Sequence, residues 1–213
     1  MNCSFKLNHY EKTLEEFVKN GFVSITLDQF FKKDYDLDPH KKYFVMRHDI
    51  DHDITLLEDM LFIENKVGIK SSNYFRARAK NYNIFSRQSS SIIQRAVSLG
   101  HSVGFHYEDI DLENDRIKFI IEALRREHGD HTFQTVSPHE PTRAGTQDDF
   151  DWKSLGVLGD AYDKDLMSFF KYISDSSCRW REGCMHNFVK HPSSMYVLTH
   201  PIWWYKEHPG ENY

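Results

Sequence analysis

Residues 44–53 read FVMRHDIDHD, and this stretch decides how the chain is interpreted. Three apolar residues and Arg47 lead into two histidines and three aspartates at positions 48–53. The apolar part is typical of a buried strand. The charged part is either a capped, solvated turn before the next helix or the edge of a metal-dependent active site. The order of elements in the rest of the chain bears on this choice.

Strand and helix patterns alternate from residue 43 onward. Runs rich in β-formers predict strands at 43–48, 71–77, 101–107, 132–138, 160–163, 170–176 and 194–200. Apolar residues at helical spacing predict helices at 53–66, 84–100 and 112–129, with Asp53 as the N-cap of the first. The alternation indicates parallel strands covered by helices, in a barrel or an open doubly wound sheet. No linker or repeat divides the chain, so a single domain is expected.

The first forty residues carry a different pattern. An apolar stripe that includes Tyr10 and Phe17 predicts a helix, with Asn8 as its N-cap and Gly21 as its stop. A second, short helix is expected to begin near Thr26. A polar loop then separates this helical segment from the first clear strand.

The composition fits one globular domain, with 213 residues of which 39% are hydrophobic and 15% aromatic. A net charge of −5 argues against nucleic acid as the main partner. No run reaches the ~20 apolar residues of a membrane span, and no secretory signal is recognisable, so a cytoplasmic location is expected. Cys3, Cys178 and Cys184 have no paired spacing; unpaired thiols are favoured, and a Cys178–Cys184 bridge is the alternative.

Histidines and acidic residues collect where the predicted strands end. Because ligands bind at the carboxyl ends of parallel strands, these side chains are expected to meet at one edge. In strand order they are Arg47, His48, Asp49 and Asp51; Asn73, Arg76 and Arg78; His106, Tyr107, Glu108 and Asp109; His139 and Glu140; Asp175 and Ser176; and His200. Scattered surface histidines would not prefer this edge.

Aspartate and histidine together offer oxygen and nitrogen ligands that suit Zn²⁺, Co²⁺, Ni²⁺ or Fe²⁺. Three protein ligands leave a position for water, whose pKa the metal lowers towards neutrality. A free carboxylate can then take the water proton, and a histidine opposite can protonate a leaving group. The chain has no GxxxxGK[ST], dinucleotide fingerprint, HExxH or GxSxG motif. A Cys–His nucleophile from Cys178 or Cys184 is the remaining alternative.

Over roughly Tyr43 to Trp204 the sequence resembles the polysaccharide deacetylase (NodB-homology) superfamily, and in particular its divergent members that begin with RHD[IV]D. The motifs that carry the resemblance are RHDID at 47–51, NYF at 73–75, GHSVGFHYED at 100–109, YISDSSCRW at 172–180 and VLTHP at 197–201. The resemblance implies an α/β fold, a distorted (β/α)7-type barrel of parallel strands. We therefore expect residues 43–213 to form the barrel and residues 1–42 a helical segment packed on it.

The resemblance also implies roles for individual residues. Asp49 corresponds to the catalytic base and Asp51 to a metal ligand. His106 corresponds to a second ligand, and His200 to the catalytic acid. The family usually places another ligand histidine four residues after the first, where this chain has Ile110.

The region of SPHEP at 137–141 offers a replacement for that missing ligand, His139. It also stands where the family has the arginine that orients the base, so Arg47 becomes the candidate for that task. Asp175 is expected to contact the acid or the substrate. His48 and His52 are expected to be structural or solvated.

The resemblance therefore implies a metal-dependent hydrolase that removes an N-acyl group from a sugar, and a role in the biosynthesis of a surface polysaccharide such as capsule or O-antigen is expected. The expected cofactor is a divalent metal, with zinc first and cobalt, nickel or iron as alternatives. One alternative is an altered barrel that serves as a carbohydrate-binding or accessory protein, and another is a metallohydrolase that cuts a different bond. Trp203 and Trp204 are either packing residues or a platform on which a sugar stacks.

Overall fold

The computed structural model describes residues 3–32, 36–112, 116–140 and 151–212, and within them eight strands form one parallel sheet. The strands are β1 (Phe22–Ser24), β2 (Lys42–Ile50), β3 (Ser71–Phe75), β4 (Ser102–Tyr107), β5 (Thr135–Pro138), β6 (Gly159–Asp160), β7 (Lys171–Ser174) and β8 (Met195–Thr199). The seven strands of the main path lie in the order β6-β5-β4-β3-β2-β8-β7. The predicted strands are thereby confirmed; β2 is longer than predicted at both ends, β6 begins one residue earlier, and the others are shorter.

Helices cover the sheet. Those of the described residues are α1 (Leu7–Lys19), α2 (Leu27–Phe31), α3 (Leu57–Val67), α4 (Arg87–Ser98), α5 (Asp109–Leu112), α6 (Arg116–His128) and α7 (Lys164–Phe169). Asp53 accepts a hydrogen bond from the Thr55 amide at a 3-10 turn that leads into α3, so its predicted capping role is confirmed. Residues 141–150, in the connection after β5, lie outside the described residues.

Side chains of β2 alternate between two buried surfaces. Tyr43 and Val45 join an interior cluster enclosed by the sheet, whereas Phe44 and Met46 pack beneath the helices. Burial on both faces is expected of a parallel strand covered by helices. By the same alternation, Arg47 and Asp49 point to the interior side, and His48 points to the helices.

The seven-strand path curls around the interior cluster, and no ladder joins β6 to β7 within the described ranges. The short strand β1 pairs with residues 42–44 of β2, and β3 pairs with residues 46–50. The two strands therefore lie one after the other along the same edge of β2. The prediction of a single-domain, distorted (β/α)7-type barrel with parallel strands is confirmed.

The N-terminal helices differ in one detail from the sequence prediction. Helix α1 begins at Leu7, with Lys6 as N-cap, so Asn8 as N-cap is wrong. The Leu7 amide donates instead to the Tyr205 carbonyl at 2.8 Å, and this long-range bond takes the place of a side-chain cap. The second helix begins near Thr26 as predicted, and Thr26 is its N-cap in a capping box with Gln29. The domain boundary at residue 42 stays a prediction.

Two further expectations concern membranes and thiols. Among the described residues, no helix has the length and apolar character that crossing a membrane requires. Cys3, Cys178 and Cys184 are all unpaired, so the favoured prediction of free thiols is confirmed and the alternative bridge does not form.

Candidate active site

The carboxyl ends of the strands surround a cleft of about 1210 Å³. The predicted residues that line it are Asp49, Asp51, His106, His139 and His200. The other two predicted site residues, Arg47 and Asp175, are completely buried, and each bonds one of the residues on the cleft wall. All seven therefore belong to one site, and their roles stay predictions.

A buried ion pair fixes the carboxylate of Asp49. The Arg47 guanidinium donates from Nε to Oδ1 at 2.8 Å and from Nη2 to Oδ2 at 2.6 Å, which is a bidentate arrangement. The same guanidinium bonds the hydroxyls of Ser137 and Tyr196 and lies over the ring of Tyr162, 4.6 Å from its centroid. Burial by itself would raise the pKa of Asp49, but the charge and hydrogen bonds of Arg47, together with the charges of His106 and His200, outweigh it and hold that pKa below its usual value.

Three potential ligand atoms converge beside this pair. Asp51 Oδ1 lies 3.2 Å from His106 Nε2 and 3.6 Å from His139 Nε2, and all three groups lie within 4.8 Å of one another. They come from the carboxyl ends of β2, β4 and β5; β4 and β5 are neighbours in the sheet, and β3 lies between β4 and β2. The structure thus brings together the ligand set that includes His139, not a side chain at position 110.

Hydrogen bonds orient these imidazoles. His106 Nδ1 donates to the Ser137 carbonyl at 2.9 Å, so in the neutral ring the lone pair lies on Nε2 and faces Asp51. His139 is anchored through its amide, which donates to the Tyr107 carbonyl at 2.7 Å. Burial lowers the pKa of His139, which favours the neutral form that binds metals.

The unpartnered oxygen of Asp51 is the observation that tests whether a metal fits. Asp51 Oδ1 is buried and accepts no hydrogen bond from the described residues. A lone pair on His106 Nε2 faces it, and two facing lone pairs repel each other unless a cation lies between them. One carboxylate oxygen and two imidazole nitrogens suit Zn²⁺, Co²⁺, Ni²⁺ or Fe²⁺, so the residues fit the implied metal.

A second acid–histidine pair lies across the cleft. His200 Nδ1 donates to Asp175 Oδ1 at 2.6 Å, and Nε2 lies 3.9 Å from Asp51 Oδ2. Asp175 also accepts bonds from the His200 amide at 3.1 Å and from the Trp204 indole at 3.0 Å. Burial would lower the pKa of His200, but Asp175 outweighs it and raises that pKa to about 9. A protonated imidazole therefore faces the cleft at neutral pH.

The turn after β2 is held by residues from the neighbouring strand. Arg76 donates to Glu108 Oε1 at 2.5 Å and to the Asp51 carbonyl at 3.4 Å. Tyr82 donates to the Ile50 carbonyl at 2.8 Å and accepts from the Arg76 amide at 2.7 Å. These bonds fix the backbone that carries Asp51 at the strand end.

Several residues of the site were not identified from the sequence. Ser137 and Tyr162 contact Arg47, and the only sequence signal was that Ser137 lies two residues before His139. Trp204 is 2% exposed and bonds Asp175, so a sugar-stacking role for Trp204 is wrong, whereas Trp203 lies on the cleft wall.

Two predicted structural histidines also have clear positions. His48 is completely buried and bonds Glu64, as expected of a structural residue. His52 is exposed and lies at the edge of the cleft. Ile110 lies on α5, is 42% exposed, and does not line the cleft.

Comparisons with known proteins add distant likenesses. No family model matches the sequence, and no curated protein matches it. A solved chitin deacetylase from the fungal pathogen Colletotrichum lindemuthianum is 19% identical with a TM-score of 0.45, over 74% of this chain and 73% of that one. A solved family 4 carbohydrate esterase from Bacillus anthracis is 16% identical with a TM-score of 0.46, over 93% of this chain and 79% of that one. Likenesses at this level do not indicate an activity for this chain.

Proposed function

We propose that this chain is a metal-dependent hydrolase that removes an N-acyl group, acetyl in the simplest case, from a sugar. The observation that carries the proposal is the arrangement across the cleft. A three-residue ligand set lies between an ionised carboxylate, Asp49, and a protonated imidazole, His200. Hydrolysis of an amide requires these three functions, namely polarisation, a base and an acid.

Asp51, His106 and His139 would hold the divalent cation, for which zinc is the first candidate and cobalt, nickel and iron are alternatives. When bound, such a cation polarises the acyl carbonyl and lowers the pKa of a water molecule. The set is open, because it supplies three ligands where a closed structural site would supply four.

Asp49 would act as the base. Its carboxylate is ionised at neutral pH, and Oδ2 lies 3.5 Å from His106 Nε2, next to the ligand set. It would take the proton of the attacking water as the new C–O bond forms. The bidentate contact from Arg47 keeps the carboxylate in one orientation, so little reorganisation is needed when the proton moves.

His200 would act as the acid. Its Nδ1 proton is committed to Asp175, so Nε2 is the atom that presents a proton to the cleft. That proton would pass to the departing nitrogen as the C–N bond breaks, releasing an amine and a carboxylic acid. Asp175 would act through His200 as a positioning residue.

A sugar substrate is supported by the sequence resemblance, since RHDID, GHSVGFHYED and VLTHP supply Asp49, Asp51, His106 and His200 in the order of the polysaccharide deacetylase superfamily. We accordingly propose that the chain is a divergent member of that superfamily. Trp203 on the cleft wall offers an aromatic face for a sugar ring. We further propose that the substrate is a cytoplasmic precursor of capsule or O-antigen.

Acetate release from a panel of N-acetylated sugars tests the proposal, using protein purified without chelator and without a nickel-affinity tag. Metal-dependent release is expected from wild type, and Asp51→Ala and His106→Ala should lose both the release and one metal equivalent. If wild type takes up no divalent ion at this site even in excess, the hydrolase is excluded.

The accessory-protein alternative is favoured by the absence of a histidine at position 110, whereas the position of His139 Nε2, 3.6 Å from Asp51 Oδ1, supports the hydrolase. The alternative would be favoured only if wild type bound sugars at the cleft and released nothing from any N-acylated member of the panel.

A further inference from the structure

A second group of potential metal ligands lies away from the cleft, where α1 meets the connection between β7 and β8. His9, Cys184 and His186 place their ligand atoms within 4.8 Å of one another. His9 lies in the first turn of α1, and Cys184 precedes the 3-10 turn that contains His186. His9 and Cys184 are 5% and 3% exposed, and His186 is partly buried.

The bonding of these side chains leaves coordinating atoms unused. His9 Nε2 lies 3.2 Å from the Cys184 sulfur. The imidazole ring of His186 packs against that of His9, with 5.0 Å between the ring centroids. His186 Nδ1 is buried and has no hydrogen-bond partner within the described part of the chain. A buried polar atom without a partner requires an explanation, and a metal ion supplies one.

A fourth ligand stands beside the group. The thiol of Cys3 is close enough to that of Cys184 to contribute to the raised pKa of Cys184, but Cys3 lies outside the group of atoms within 4.8 Å, so its exposed side chain would move inward to complete the set. Two cysteines and two histidines form a closed tetrahedral set of the kind that holds structural zinc. From Zn–N and Zn–S bonds of about 2.1 and 2.3 Å, a tetrahedral site needs about 3.6 Å between a nitrogen and a sulfur ligand. The observed 3.2 Å requires only a small expansion.

We propose that Cys3, His9, Cys184 and His186 bind a structural zinc ion that fastens the N-terminal segment to the connection between β7 and β8. His9 and Cys184 are 175 positions apart in sequence, so the ion would close a long loop. The same connection contributes Cys178, Arg181 and Glu182 to the cleft wall. The site would therefore steady one side of the cleft without touching the reacting atoms, and it does not depend on the proposed hydrolase activity.

Cobalt titration of the reduced protein distinguishes the two metal sites, because only this one contains sulfur. Wild type should bind two equivalents of Co²⁺ and show a thiolate-to-cobalt charge-transfer band in the near ultraviolet. The double variant Cys3→Ser/Cys184→Ser should bind one equivalent and lose the band. Asp51→Ala should also bind one equivalent but keep the band. Cys178→Ser is the matched control, since it removes a thiol outside the group and should keep both.

Because Cys184 is buried, Cys3→Ser is tested alone as well; Cys3 is exposed, so this change does not disturb the core. In Cys3→Ser the intensity of the charge-transfer band should fall to roughly half, because one of the two thiolate ligands is lost. Zinc should protect two of the three thiols of wild type from a thiol reagent. A reduced wild type without the band, or a band that persists in the Cys3→Ser/Cys184→Ser variant, would overturn the proposal. So would a Cys3–Cys184 disulfide, detected as one reactive thiol in denatured, unreduced protein.

Discussion

Strand β2 carries a polar network on each of its two faces, and the two networks differ in how completely their atoms are bonded. On the helix-facing side, His48 bonds Thr199 at Nδ1 and Glu64 at Nε2, both at 2.6 Å. Glu64 also accepts bonds from the hydroxyls of Tyr10 and Ser71. Both ring nitrogens and both carboxylate oxygens are therefore used within the protein.

On the cleft side the bonding is incomplete. Each oxygen of Asp49 accepts a bond from Arg47, but Asp51 Oδ1 has no donor among the described residues, and Nε2 of His106 and of His139 lies 3.2 and 3.6 Å from it. The residue types on the two faces are alike, and buried acids and histidines occur on both. Among the described residues, the helix-facing network leaves one buried atom, His101 Nε2, without a partner, whereas three potential ligand atoms converge on the cleft side. This convergence separates the reactive network from the structural one.

The largest expected effect comes from Asp49→Asn on the cleft side. The amide cannot take the proton of the attacking water, so kcat should fall about 10²–10⁴-fold, as for loss of a general base. Metal content at the three-ligand site should be retained. Initial rates of acetate release, measured per folded enzyme, check this. Asp53→Asn is the matched control in the same stretch, because asparagine also caps a helix and the rate should stay unchanged. A loss below tenfold in Asp49→Asn would show that another group is the base.

The next effect belongs to the helix-facing network. Glu64→Ala removes the shared acceptor of His48, Tyr10 and Ser71, so the free energy of unfolding should fall by about 3–5 kcal/mol. Urea unfolding measures this change. Glu58→Ala on the same helix removes an exposed ion pair with Arg95 and should cost about 0.2–1 kcal/mol. The folded fraction of Glu64→Ala should still bind metal at the cleft, and loss of that metal without loss of stability would contradict the division into two networks.

A smaller effect should appear in the pH dependence of stability. Burial lowers the pKa of His101 from 6.5 to about 4, and its Nδ1 accepts a bond from the Ser71 amide. Between these values the unfolded chain binds more protons than the folded one at this residue. Stability should therefore fall as pH drops from 6.5 towards 4, by up to about 1.4 kcal/mol per pH unit. His101→Asn keeps an acceptor and should flatten this slope in urea unfolding series; an unchanged slope would assign it to other groups.

Much of this arrangement follows from the sequence, because strand ends in a parallel barrel share one edge. The order of strands alone was enough to predict that four side chains lie on that edge, namely Asp49, Asp51, His106 and His200. The pairing of Arg47 with Asp49 needed only their spacing of two on one strand face.

Other features could not be predicted from sequence patterns, because they depend on contacts between residues that are far apart in the sequence. The start of α1 depends on a bond to Tyr205, at the other end of the chain. Strand β1 is three residues long, too short for a recognisable alternation. Trp204 is apolar in type but is buried as a hydrogen-bond donor to Asp175, and this function depends on tertiary contacts. His48 and His106 both end buried strands, and only their partners tell which is structural.

The smallest expected effect concerns the third metal ligand, which this chain would take from position 139 and which its family usually takes from the position of Ile110. Ile110 faces solvent on α5, so Ile110→His alone should change metal affinity and kcat by no more than about 0.5 kcal/mol in free energy. His139→Ala should lose the metal, since it removes one of three ligands, and Ile110→His/His139→Ala should not regain it. Metal titration of the three variants checks both statements. If the double variant recovers the metal, a side chain at position 110 can reach Asp51 and His106, and the third ligand of this barrel would be interchangeable between two strand ends.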